Sequence, residues 1–230
     1  MNKILGILLF FVVGVSYAAR PMITDDARIV DVGSCQVESW AKFNKETNEF
    51  WALPSCNLSG NLEIAFGGAK LVDATENSDW GVRQIQLKTL FKPPSTNNWS
   101  AGIAAGQIKT SAHNLSTGFS DNYFYLPFTQ SLLNDDLFIH LNMGGSQING
   151  EKKYKPTYGA GFELLIAEKS YLIFETFQDS SEKISFQGGI RHWVEPNRFQ
   201  IDMTLGNKSH LNHTNTWLSI GVRLLSPKWF

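Results

Sequence analysis

Apolar and polar side chains alternate with a period of two from about residue 35 to residue 225, and that alternation limits the chain to an antiparallel β architecture. In segment 84–91, Ile85, Leu87, Thr89 and Phe91 share one face, and Gln84, Gln86 and Lys88 share the other. In 157–166, Tyr158, Ala160, Phe162, Leu164 and Ile166 oppose Thr157, Gly159, Gly161 and Glu163. Phe199, Ile201, Met203 and Leu205 are set against Gln200, Asp202, Thr204 and Gly206 in the same way, and Leu218, Ile220, Val222 and Leu224 against Ser219, Gly221 and Arg223. Successive side chains of a strand point to opposite faces, so every segment has an oily and a wet side. About twelve such segments are expected, near 35–44, 49–56, 61–72, 81–91, 98–108, 122–132, 137–145, 156–167, 170–178, 183–194, 198–206 and 216–225.

The N-terminus reads as an export signal. Lys3 precedes an apolar run from Ile4 to Val15, and Ser16-Tyr17-Ala18 puts small residues at −3 and −1 of a cleavage site after Ala18. The run is too short to span a bilayer, which takes about 20 residues as a helix. Of 230 residues, roughly 212 remain after cleavage, enough for one large domain. The expected organisation is 1–18 signal, 19–33 a periplasmic N-terminal segment and 34–230 the barrel. Twenty basic and twenty-one acidic residues nearly cancel, so nothing points to nucleic acid.

Alternation does not say which face is outside. In a lipocalin-like barrel or a periplasmic sandwich the oily face points inward. Three features favour a membrane barrel. Gly and Ala crowd the polar face, as a wet lumen permits. Trp80, Trp99, Tyr123, Trp193 and Trp217 lie near strand ends, where interfacial girdles belong. The chain also stops on Trp229-Phe230 after a last amphipathic segment, although Ser226-Pro227-Lys228 interrupts the alternation. The connections near 57–60, 92–97, 133–136, 168–169 and 195–197 are shorter than those near 45–48, 73–80, 109–121, 146–155, 179–182 and 207–215. Outer-membrane barrels have short periplasmic turns and longer external loops. The fold class is therefore all-β: a transmembrane antiparallel up-and-down β-barrel of about twelve strands, both termini periplasmic, localised to the bacterial outer membrane. The partners this fold class leads one to expect are outer-membrane lipid and the barrel assembly machinery, with a small-molecule substrate as a further candidate.

A tight turn centred on Lys45-Glu46 pairs positions whose numbers sum to 91, setting Cys35 opposite Cys56 and Trp40 opposite Trp51. Directly opposed residues lie within disulfide range, and export makes that bridge chemically available.

After the signal come Arg20-Pro21-Met22-Ile23-Thr24-Asp25-Asp26-Ala27-Arg28 and then Cys35-Gln36-Val37-Glu38-Ser39. This opening resembles that of bacterial outer-membrane proteins named for the meta-cleavage pathway of phenol degradation. The resemblance implies a single-domain barrel associated with passage of hydrophobic or aromatic compounds, and it carries over no functional residue.

Two sets of polar residues are functional candidates. Thr24, Asp25, Asp26 and Arg28 precede the first strand and are either a plug folded into the lumen or a solvated turn. Glu38, Lys42, Glu63, Lys88, His140, Glu163, Glu175, Arg191, Asp202 and Arg223 take the inward face and either line a path or pair across the middle as a polar core. Catalysis finds less support. His113, Asn114 and Ser116 share a loop without forming a triad pattern, and the chain lacks the His-x-Ser motif of barrel phospholipases. His192, His210 and His213 lack the further Cys or carboxylate spacing of a metal site. No cofactor motif occurs.

Overall fold

The computed structural model describes residues 22–74, 78–112, 119–147, 153–178, 183–208 and 215–228. The signal segment, the His113-Asn114-Ser116 loop, His210, His213 and the C-terminal Trp229-Phe230 lie outside the described residues.

Twelve antiparallel strands form one closed barrel. In chain order they are β1 (Ser34–Asn44), β2 (Thr47–Asn57), β3 (Glu63–Asp73), β4 (Asp79–Lys92), β5 (Trp99–Ala112) and β6 (Phe119–Leu132), then β7 (Leu137–Ser146), β8 (Lys155–Ala167), β9 (Ser170–Gln178), β10 (Ile184–Glu195), β11 (Phe199–Lys208) and β12 (Trp217–Leu225). Each strand pairs with its chain neighbours, and β1 closes on β12 from Gln36↔Leu225 to Asn44↔Trp217. Ser226 extends that seam by two bonds to Cys35: its amide donates to the Cys35 carbonyl, and its hydroxyl accepts from the Cys35 amide. Pro227, which has no amide hydrogen, then ends the ladder. Among the described residues no strand is left with an unpaired edge, which is a requirement for strands in hydrocarbon.

The wetted faces are the reverse of those in a soluble barrel. Phe66 is 63% exposed, Met203 52% and Leu141 46%, whereas Arg223 and Glu175 are wholly buried. Oily side chains thus cover the outside and ionisable ones line the inside. The outer surface fits a membrane and the inner one does not need it.

The first hairpin has the expected register, with Cys35↔Cys56 and Trp40↔Trp51, and the cysteines form a disulfide with their Cα atoms 4.1 Å apart. The two indoles stack at 5.3 Å.

Two expectations need correction. Trp99 faces outward and stacks on Phe128, as a girdle residue should. Trp193 and Trp217 are buried in the interior instead, Tyr123 bonds to inward glutamines, and Trp80 has the inward parity of Val82 and Gln84. Position near a strand end did not decide their facing; parity did, because Trp193 lies two residues from Arg191 and Trp217 two from Ser219. The rims are also less unequal than expected. β5 runs on to Ala112 and β6 starts at Phe119, so the longest expected connection contracts to 113–118.

Candidate functional site in the barrel lumen

The rim that carries the start of β1 is here the terminal rim, and the opposite one the far rim. From Gly33, whose amide donates to the Asn57 carbonyl at 2.7 Å, the preceding segment 22–32 runs into the lumen rather than away from it. Gly33 has φ of 77°, a conformation that suits a residue without Cβ where the chain turns from lumen to wall.

A segment that belongs to no strand has no ladder neighbour, so its amides need partners from wall side chains. They find carboxylates and hydroxyls. The Ile23 and Thr24 amides donate to the two oxygens of Glu175, at 2.7 and 2.6 Å. The Ala27 amide donates to Thr129 Oγ1 at 2.8 Å and the Val30 amide to Glu63 Oε2 at 2.8 Å. Asn57 Nδ2 returns a bond to the Val30 carbonyl at 2.8 Å. The Asn142 amide, correctly oriented, pairs with both the amide and the carbonyl of Asp25. These anchors come from β2, β3, β6, β7 and β9, so the segment is tied to the wall around most of its circumference.

Side chains of the segment are held as firmly. Asp25 Oδ2 accepts from Lys88 Nζ at 2.8 Å and from the Tyr125 hydroxyl at 2.6 Å. Asp26 lies 3.7 Å from the same ammonium and accepts the Arg28 amide at 3.0 Å. Burial pushes the Asp26 carboxyl up to about 6, with the Lys88 charge pulling the other way and Asp25 reinforcing the rise. The Arg28 guanidinium sits 4.2 Å from the Phe138 ring centre. Met22 closes a small apolar cluster with Phe138, Tyr171, Ile173 and Trp193. Gly159 and Gly161 make room for this approach: a Cβ on them would lie 2.5 Å from Thr24 Oγ1 and 2.6 Å from Met22 Cε.

All ten inward candidates line the interior, but they do not pair across an empty middle. Glu163 binds its wall neighbours, Arg191 at 2.6 Å and His140 Nε2 at 3.1 Å. Arg223 Nε donates to Gln36 Oε1 at 2.8 Å and lies 3.8 Å from Glu38. Asp202 stands opposite Arg191 across β10 and β11. Lys42 pairs with Glu49 at 3.1 Å. It is the segment that crosses the lumen. Thr129 links the two systems, accepting from Ala27 and lying 2.9 Å from His140 Nδ1.

The consequence is two cavities. Toward the far rim a vestibule of about 390 Å³ has Ile23 and Thr24 as its floor, and Trp40, Trp51, Tyr123, Tyr125 and Trp217 among its walls. Toward the terminal rim a cavity of about 630 Å³ is bounded by Arg28 to Val32. Between them a gap of about 30 Å³ lies beside Lys88, Asp25 and Arg28. Sequence reasoning missed the vestibule aromatics and the roles of Tyr125, Thr129, Asn142 and Asn57. Their inward parity was readable in the alternation; what they would touch was not.

The model of a family described as uncharacterised conserved protein UCP029691 matches residues 7–225. No curated protein matches the chain significantly. Among solved structures, the KdgM porin in complex with disordered oligogalacturonate is similar with a TM-score of 0.60 at 14% identity, over 82% of this chain and 98% of that one. The COG4313 outer membrane channel from Pseudomonas putida F1 gives 0.59 at 11% identity, over 87% and 98%. The NanC porin gives 0.57 at 10%, over 83% and 98%. These likenesses show the fold, that of outer-membrane barrels.

Proposed function

We propose that this chain, which belongs to the family described as uncharacterised conserved protein UCP029691, is an outer-membrane channel for small molecules with its N-terminal segment as a plug. The observation that carries the reading is the division of the lumen by residues 22–32, with a cavity of about 390 Å³ on one side, one of about 630 Å³ on the other and a gap of about 30 Å³ beside Lys88 between them. A wall that evolved only as a polar core would pair its own charges. Here Glu175, Glu63 and Thr129 spend their acceptors on the backbone of a separate segment. Backbone held by side chains, rather than by a strand ladder, can leave without breaking the barrel.

The export signal, lipid-suited exterior and similarity to outer-membrane channels support a place in the outer membrane, reached through the barrel assembly machinery. The short turns at the terminal rim support a periplasmic position for both chain ends. The vestibule's aromatic walls support a cargo with a flat face that can lie on a side-chain ring.

Replacing residues 22–30 with a Gly-Ser stretch of equal length tests this reading. Single-channel conductance in a planar bilayer should rise from near closed to a steady open level. A conductance identical to that of the unaltered protein would overturn the plug.

A further inference from the structure

The far-rim vestibule has the chemistry of a ligand site as well as a mouth. We infer that it selects an uncharged polyhydroxylated ring, a neutral mono- or disaccharide, that stacks against the Trp40–Trp51 pair. This rests on the channel reading and names its substrate class.

Charge narrows the choice first. Among the described residues lining the vestibule only Lys42 and Glu49 are ionisable as acid or base near neutrality, and they neutralise each other at 3.1 Å. Glu49 also accepts the Trp51 indole N–H at 2.9 Å, and the Lys42 ammonium lies 5.0 Å from the Trp217 ring centre. An ionised solute would have to break this pair to find a counter-charge, and its desolvation would otherwise go unrepaid.

Polarity narrows it further. Aromatic faces alone would suit a plain apolar ring. Yet amides and hydroxyls are interleaved with them, Gln178 and Ser219 among those on the wall. Ser219 Oγ is buried and has no hydrogen-bond partner among the described residues, and it borders the cavity. A solute with a single hydroxyl would displace water from these groups without replacing its bonds, which costs affinity. A sugar has a C–H face for an indole and a rim of hydroxyls for the amides. The cavity volume, about 390 Å³, is within the range of small-molecule pockets. With Ile23 and Thr24 as its floor, a ligand in this site rests on the segment that closes the lumen.

The test uses the folded protein in detergent, with maltose, galacturonate and phenol as probes, read by tryptophan fluorescence and calorimetry. Maltose should quench saturably, and the other two should not. Trp51→Leu should weaken maltose by about tenfold, the scale of one aromatic contact, and Ser219→Ala should weaken it less. Heat-modifiable gel migration checks that each variant folds; should Trp51→Leu fail it, Ser219→Ala carries the test. Binding of phenol or galacturonate as tight as that of maltose would overturn the proposal, as would no binding at all or variants that bind maltose like the parent. Absence of binding alongside a conductance gain on replacing 22–30 removes the substrate class and keeps the channel. Maltose binding with unchanged conductance does the reverse.

Discussion

Glu175 is fully buried in a membrane barrel and is made tolerable by two backbone amides and the Gln187 amide at 2.5 Å. Its partners belong to a segment some 150 positions away in the chain, and no local pattern names them. Gly159 presents the same dependence as space rather than charge, since the nearest atoms to an added Cβ all belong to Thr24. Gly159→Val should therefore unseat the segment while leaving the wall intact, raising conductance with unchanged heat-modifiable migration. Asp26 supplies a pH dependence. Its carboxyl titrates at about 6 in the folded protein against an ordinary value of 3.8, so the docked segment favours the protonated form. The stability this confers is complete below about pH 4 and is lost as pH rises through about 6, a change on the order of 3 kcal/mol. Protease cleavage within 22–33 should accordingly be slower at pH 5 than at pH 7.5. Asp26→Asn should flatten that profile, and a variant with the parent's pH dependence would place the titration elsewhere.

At the scale of elements, the β1–β2 hairpin was the most legible part of the chain. One tight turn and an arithmetic register placed Cys35 against Cys56, because an antiparallel ladder leaves no freedom once its turn is set. Replacing both cysteines with serine should cost about 3 kcal/mol in detergent unfolding by denaturant, the entropy of closing a loop of this length. An unchanged midpoint would mean that the ladder alone already restrains the unfolded hairpin. The aromatic residues were harder to read. The place of Trp193 and Trp217 along their strands suggests a girdle, whereas the parity of Arg191 and Ser219 puts them inside. Longitudinal position and facing are independent coordinates of a strand residue, and only the second follows from alternation. Loop lengths depart from expectation for a related reason. Polar residues such as Lys109 and Ser120 look like loop, yet they pair with each other where β5 and β6 continue past the oily belt.

The whole molecule turns a weak per-residue pattern into a membrane surface. Leu141 sits mid-strand on the outer face, and its replacement by Arg should cost about 2–4 kcal/mol of barrel stability in lipid. Folding into liposomes followed by denaturant titration would measure it; a cost near zero would mean that this face does not meet hydrocarbon. The amino-acid order was enough to place the strand number and the side chains that share a face, since both follow from a local period of two, and one tight turn added the register of the first hairpin. What the inside of the barrel holds follows from closure in three dimensions. Closing β1 on β12 makes a lumen, and segment 22–32 enters it to meet groups from β2, β3, β4, β6, β7 and β9 at once. Those meetings join residues far apart in the chain, and long-range contacts leave no periodicity in a sequence for alternation to report.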